Sequence, residues 1–161
     1  MTPRDAEASL ESPDQARLLI EQCPDALVYA DREGVIREWN AAATRIFGHA
    51  REAAIGQSLD LIVPERYREA HWRGYDRALA ESRTKYAGQS MATRSVHADG
   101  RTIYVELSFG MIEEAGTIVG VLATARDITE RFQHERDERA RMRALEERLA
   151  AIDGGAGGTA P

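Results

Sequence analysis

Apolar and polar positions along this chain fall into blocks of two different periods. Residues 1–11 are polar and without period, and they are expected to form a flexible tail. Ser12-Pro13-Asp14-Gln15 reads as a helix start: a capping serine, a proline at the first helical position, and a glutamine three residues after the cap. Leu18, Leu19, Ile20 and Cys23 give that helix an apolar side and Pro24 ends it, so 12–23 is expected as an N-terminal flanking helix. Runs 27–30 and 35–39 are strand-like, and Asp31-Arg32-Glu33-Gly34 between them has the acid and the glycine of a tight hairpin. Asn40 can cap a short helix over 41–47 that Gly48 closes. Residues 50–63 read as short helical turns interrupted by Gly56.

Pro64 opens a longer helix, expected to run to about Ser82. Along it Tyr67, Ala70, His71, Gly74, Tyr75, Ala78 and Leu79 recur every three or four residues and so share a face. Three strands are expected next, at 84–97, 102–112 and 117–126, with Asp99-Gly100 joining the first two. In the middle one Ile103, Val105, Leu107 and Phe109 alternate with Tyr104, Glu106, Ser108 and Gly110, the pattern of a half-buried antiparallel strand. The expected class is α+β: five strands in one antiparallel sheet with the helices gathered on one face, forming a core over 24–128. Residues 129–152 read as a charged helix, and 153–161 as a flexible, glycine-rich end. On that helix Met142, Leu145, Leu149 and Ile152 follow 3-4-3 spacing, which suits either a short dimer seam or one apolar stripe packing on its own domain.

A chain of 161 residues fits one domain with flanking segments. The net charge of −6 argues against a general nucleic-acid binder, which needs a basic footprint. No apolar run approaches the roughly 20 residues that span a bilayer, and the N-terminus lacks a basic-then-apolar leader pattern. The single cysteine, Cys23, leaves no internal disulfide and no multi-cysteine metal site. These features together suggest a cytoplasmic protein.

Several short signatures occur in order: Asp25-Ala26-Leu27-Val28-Tyr29-Ala30-Asp31, Gly34, Trp39-Asn40-Ala41-Ala42, Phe47-Gly48, Ile55-Gly56, Leu61-Ile62-Val63-Pro64-Glu65, Asp99-Gly100-Arg101 and Arg126-Asp127-Ile128-Thr129. In this order and spacing the chain resembles the PAS sensor domain over about residues 15–135. The resemblance implies strand order 2-1-5-4-3, with helices enclosing a pocket against the sheet. It implies a sensory and signal-coupling module and no enzyme. Such a module is expected to act as a homodimer and to signal to a partner such as a kinase or regulator in trans. A ligand-free adaptor for protein interaction is the alternative; a small stand-alone enzyme would need a convergent set of titratable groups.

The resemblance also singles out His71. In the haem-binding PAS domains of rhizobial oxygen-sensor kinases, a histidine at this helix position supplies the proximal iron ligand, so haem b is the expected cofactor. A neutral imidazole nitrogen can donate to iron. Where those sensors carry a distal arginine this chain has Met91, whose thioether can serve as a second ligand or as core filler. Tyr67, Tyr75, Leu107 and Phe109 are the other expected pocket residues. Flavin is the alternative cofactor, although the Asn-Cys-Arg motif of the light-sensing branch is absent. Asp127-Ile128-Thr129 resembles the motif that ends the last strand and starts an output helix, which makes Asp127 and Thr129 the expected relay. Asp127 can cap that helix, with Glu130 three residues on.

Overall fold

A computed structural model of the protein describes residues 12–84 and 88–155. The expected tail 1–11 and the last six residues of the expected glycine-rich end lie outside the described residues. The chain divides into two units, Met1–Asp127 and Ile128–Pro161.

The first unit holds α1 (Pro13–Gln22), β1 (Ala26–Asp31), β2 (Ile36–Trp39), α2 (Ala41–Phe47), α3 (Arg51–Ala54), two 3-10 turns (Leu59–Leu61 and Glu65–Tyr67), α4 (Arg68–Glu81), β3 (Met91–Val96), β4 (Thr102–Glu114) and β5 (Thr117–Asp127). The strands form one sheet in the order β2-β1-β5-β4-β3, every pair antiparallel, as the sequence led us to expect. Period-two alternation sorts the two faces. Ala26, Val28 and Ala30 of β1, Ile103 and Val105 of β4, and Val121 and Ala125 of β5 are buried on the inner face. Leu107, Phe109 and Met111 continue that face along β4 and are half-buried.

Capping chemistry sets the starts of α1 and α2. Ser12 Oγ accepts from the Gln15 N–H (3.2 Å), with Pro13 at the first position. Asn40 is 1% exposed and fully employed. Its Oδ1 accepts from Ala43 N and Leu27 N, both at 2.9 Å, and its Nδ2 donates to Ile20 O (2.9 Å) and Asp25 O (3.0 Å). One amide therefore ties the end of α1, the start of β1 and the start of α2 together. Trp39 and Phe47 fill the space beneath α2, with ring centroids 5.4 Å apart. The Trp39 Nε1–H donates to Thr44 Oγ1 and His49 O.

β4 runs two residues past its expected end, to Glu114, and the last helix continues to Gly155, into the expected flexible end; two other elements depart further from their expected bounds. The third strand starts at Met91 and not at Thr84; Gly88 at φ +71° interrupts the run, and residues 85–87 lie outside the described residues. The helix after Pro64 is split: Tyr67, at φ −106° and ψ −6°, closes a 3-10 turn before α4 begins.

The second unit contains α5 (Thr129–Gly155), a single charged helix laced with pairs one turn apart, such as Arg139–Glu135 at 3.4 Å. Met142, Leu145, Leu149 and Ile152 are exposed along it.

Candidate functional site

The β1–β2 hairpin is built by its own acid. Asp31 Oδ1 accepts from the N–H groups of Glu33 (3.1 Å) and Val35 (2.9 Å), and Oδ2 takes the Arg37 Nε–H at 2.6 Å. Partial burial pushes the Asp31 carboxyl up, but the Val35 N–H and the Arg37 guanidinium outweigh it and hold it below the ordinary value. Gly34 sits at φ +74°, and a Cβ there would lie 2.2 Å from Trp72 Cη2. The absent side chain is the space the indole occupies.

Helix α4 closes over this hairpin with three rings. The Trp72 Nε1–H donates to Asp60 Oδ1 at 2.9 Å. Tyr75 is 8% exposed, and its hydroxyl donates to Asp31 O at 2.5 Å, with Ala30 O at 3.2 Å. Burial drives the Tyr75 phenol far above its usual value, so it stays a neutral donor. His71 lies against both rings, 5.0 Å from Trp72 at 76° and 6.0 Å from Tyr75. Burial lowers its pKa, opposed by the Asp60 carboxylate, so the imidazole is neutral at pH 7. Its Nδ1 is buried without a protein partner. A polar atom in that condition is costly and calls for a partner.

The expected site residues divide. His71 and Tyr75 share one aromatic cluster, and Tyr75 belongs to the core against which Leu107 and Phe109 pack. Met91 is half-buried at the start of β3, paired with Leu107. Tyr67 does not share the α4 face: it lies in the 3-10 turn, 38% exposed, and accepts from Arg94 Nη1 at 3.4 Å. Ala70 and Gly74 are exposed as well, so the inward face is His71, Trp72, Tyr75, Ala78 and Leu79. Asp60, its bond to Trp72 and the fit of that indole over Gly34 were not read from the sequence. Only Gly34 carried a signal, as the glycine of a hairpin turn.

Among the described residues no cluster of three His, Cys, Asp or Glu side chains could hold a metal ion. A surface cavity of about 400 Å³ lies between α1 and the β2–α3 segment, lined by Asp14, Arg17, Leu18, Ile20, Glu21, Glu38 and Arg51. Its core-side groups are occupied with each other, because Arg51 Nη1 donates to both Glu38 and Trp39 O. At the far end of the sheet Arg126 clasps Asp25 with two bonds of 2.9 and 2.8 Å. Asp127 is the last residue of β5, opposite Val105, and Thr129 is the first of α5.

A family model described as the PAS fold matches residues 20–133. An uncharacterised protein of Azorhizobium caulinodans is 31% identical over 134 residues, which are 83% of this chain and 18% of that protein. Sensor protein FixL of Bradyrhizobium diazoefficiens is 29% identical over 136 residues, 84% of this chain and 26% of that protein. This chain thus spans about a quarter or less of the length of either relative. Among solved structures, the PAS domain of a Colwellia psychrerythraea protein superposes with a TM-score of 0.63 at 27% identity, covering 73% of this chain and 97% of that one. An RNA-binding light-oxygen-voltage receptor gives a TM-score of 0.65 at 18% identity, over 90% of this chain and 41% of that one, and shares the fold. Among the described residues no helix is long and apolar enough to cross a membrane.

Proposed function

This chain belongs to the PAS family, and from that membership we propose that it is a sensory and signal-coupling module that holds haem b at His71. The observation that carries the reading is His71 itself: a neutral imidazole whose buried Nδ1 has no partner. The surrounding side chains fit such a group. Trp72 and Tyr75 flank the imidazole, and Leu107, Phe109 and Met111 extend a half-buried apolar wall on the inner face of the sheet. FixL, 29% identical, is a sensor protein. When bound there, haem would supply an iron that takes up small gases or changes oxidation state. Met91 would offer a thioether from β3. Flavin is the alternative occupant of the same face.

The output side is a proposal of the same kind. Asp127 and Thr129 would pass a shift of β5 to α5, whose exposed Met142, Leu145, Leu149 and Ile152 suit a homodimer seam. A kinase or regulator would read that dimer. An enzymatic role has less support, because His71 Nδ1 bonds to no acid and the Asp60 carboxylate is engaged by Trp72.

Absorption spectroscopy on protein purified from haem-supplemented cells tests the reading. A Soret band is expected in the wild type and not in His71→Ala, with the far-UV circular dichroism of the two unchanged. A Soret band kept by the His71 variant would overturn the ligand assignment. A wild type without one would leave the ligand-free adaptor as the better account.

A further inference from the structure

We infer that Trp72 is a positioning residue for His71, held in place by Asp60 and by the missing side chain of Gly34; the inference rests on reading His71 as the ligand donor. Consecutive residues on an α-helix point about 100° apart and do not ordinarily meet. Here the rings of His71 and Trp72 do meet, edge to face, with centroids 5.0 Å apart. They meet because the indole is drawn along the hairpin. Its Cη2 and Cζ3 occupy the volume that any side chain on Gly34 would fill, at 2.2 and 2.3 Å from an ideal Cβ. Its Nε1–H is fixed to Asp60 Oδ1 at 2.9 Å.

Tyr75 completes the enclosure. It lies 5.6 Å from Trp72 and 6.0 Å from His71, and its hydroxyl is tied to the Asp31 carbonyl. Each of the two flanking rings is therefore pinned at its outer end to a different segment: Trp72 to the 3-10 turn Leu59–Leu61, Tyr75 to the end of β1. His71 alone has an unpartnered nitrogen between them. A donor whose orientation is fixed before its ligand arrives loses little freedom on binding, which is how supporting side chains raise affinity for a bound group. If Trp72 were only filling space, a smaller aromatic ring in its place would leave the imidazole unaffected.

The test uses the apoprotein and hemin as the probe. Long-range 1H–15N spectra at fixed pH report the tautomer and ring exchange of His71, and a hemin titration reports affinity. Wild type is expected to show one tautomer with sharp ring signals. Trp72→Phe keeps an aromatic ring and loses the bond to Asp60; its His71 signals should broaden or split, and hemin affinity should fall about tenfold or more. Asp60→Asn keeps an acceptor and should restore the wild-type pattern, whereas Asp60→Leu should behave like Trp72→Phe. Asp60 is partly exposed, so Asp60→Leu carries the test if Trp72→Phe fails to fold. Wild-type His71 signals and hemin affinity in both Trp72→Phe and Asp60→Leu would overturn the positioning role while leaving the haem reading intact. No hemin uptake by the wild type, together with a freed His71 ring in Trp72→Phe, would overturn the haem reading and leave the positioning role standing.

Discussion

Ala115 and Gly34 are among the residues where the left-handed backbone region sets the cost of substitution. Ala115 turns the β4–β5 hairpin at φ +49°, a conformation that a Cβ disfavours. Ala115→Gly should raise the denaturation midpoint, stabilising the fold by up to about 1 kcal/mol. An unchanged or lowered midpoint would count against the turn geometry. Gly34 is the converse case: Gly34→Ala meets both φ +74° and the Trp72 ring, and should cost on the order of 1–3 kcal/mol. Indole fluorescence should shift in that variant, since the substitution must move Trp72. The glycine of the hairpin was visible in the sequence as a turn former. The ring lying over it was not: Trp72 stands three residues before Tyr75, so spacing can put it on the inward face, but no local pattern pairs it with Gly34 or Asp60.

At the scale of elements, alternation told the truth about facing but not about depth. Ile103, Val105, Leu107 and Phe109 all point inward, yet Ile103 and Val105 are 2% and 1% exposed while Leu107 and Phe109 are only half-buried. Ile103→Ala should therefore cost about 2–5 kcal/mol and Leu107→Ala distinctly less, measured by urea denaturation. Equal costs would show that the inner face is sealed along its whole length. The sheet was legible because β4 alternates in sequence and β1 and β5 are short apolar runs bounded by turn residues. The start of β3 was not, because 84–90 holds few apolar positions and its end is set by a glycine. Tyr67 was misplaced for a related reason: a 3-10 turn advances three residues per turn, so helical spacing counted through it assigns the wrong side. On α5, Leu145→Glu should abolish the proposed self-association across a concentration series in sedimentation. Association like wild type would remove α5 as the dimer element and direct attention to α1, with Leu18 and Leu19 exposed.

For the molecule as a whole, mild acid should be destabilising. Burial, and then the charge of His97, lower the His49 pKa below 6.5, and burial lowers that of His71. Between those folded values and 6.5 the unfolded chain binds more protons than the folded one. Stability is thus fully present above about pH 6.5 and is lost as pH falls through the folded values. The carboxyls of Asp31 and Glu38, both held below their usual values, add to that loss chiefly at lower pH, as their ordinary values are approached. The denaturation midpoint should fall between pH 7 and pH 5, and His49→Gln should flatten part of that slope; a slope untouched by the substitution would show that His49 is not one of its sources. The long-range ties were the least legible part of the chain. Nothing local links Asp25 to Arg126, 101 positions apart, or tells that Asn40 bonds to Ile20 as well as capping α2. The Asp25–Arg126 clasp has a consequence for chain architecture. Ala26 and Ala125 are directly paired in neighbouring central strands, so the points where the backbone enters and leaves the core stand only about 5 Å apart. A core with such neighbouring ends can interrupt a longer polypeptide without pushing the flanking pieces apart. It should also survive being rewired, with old ends 25 and 126 joined by a short linker and new ones opened between Ala115 and Gly116.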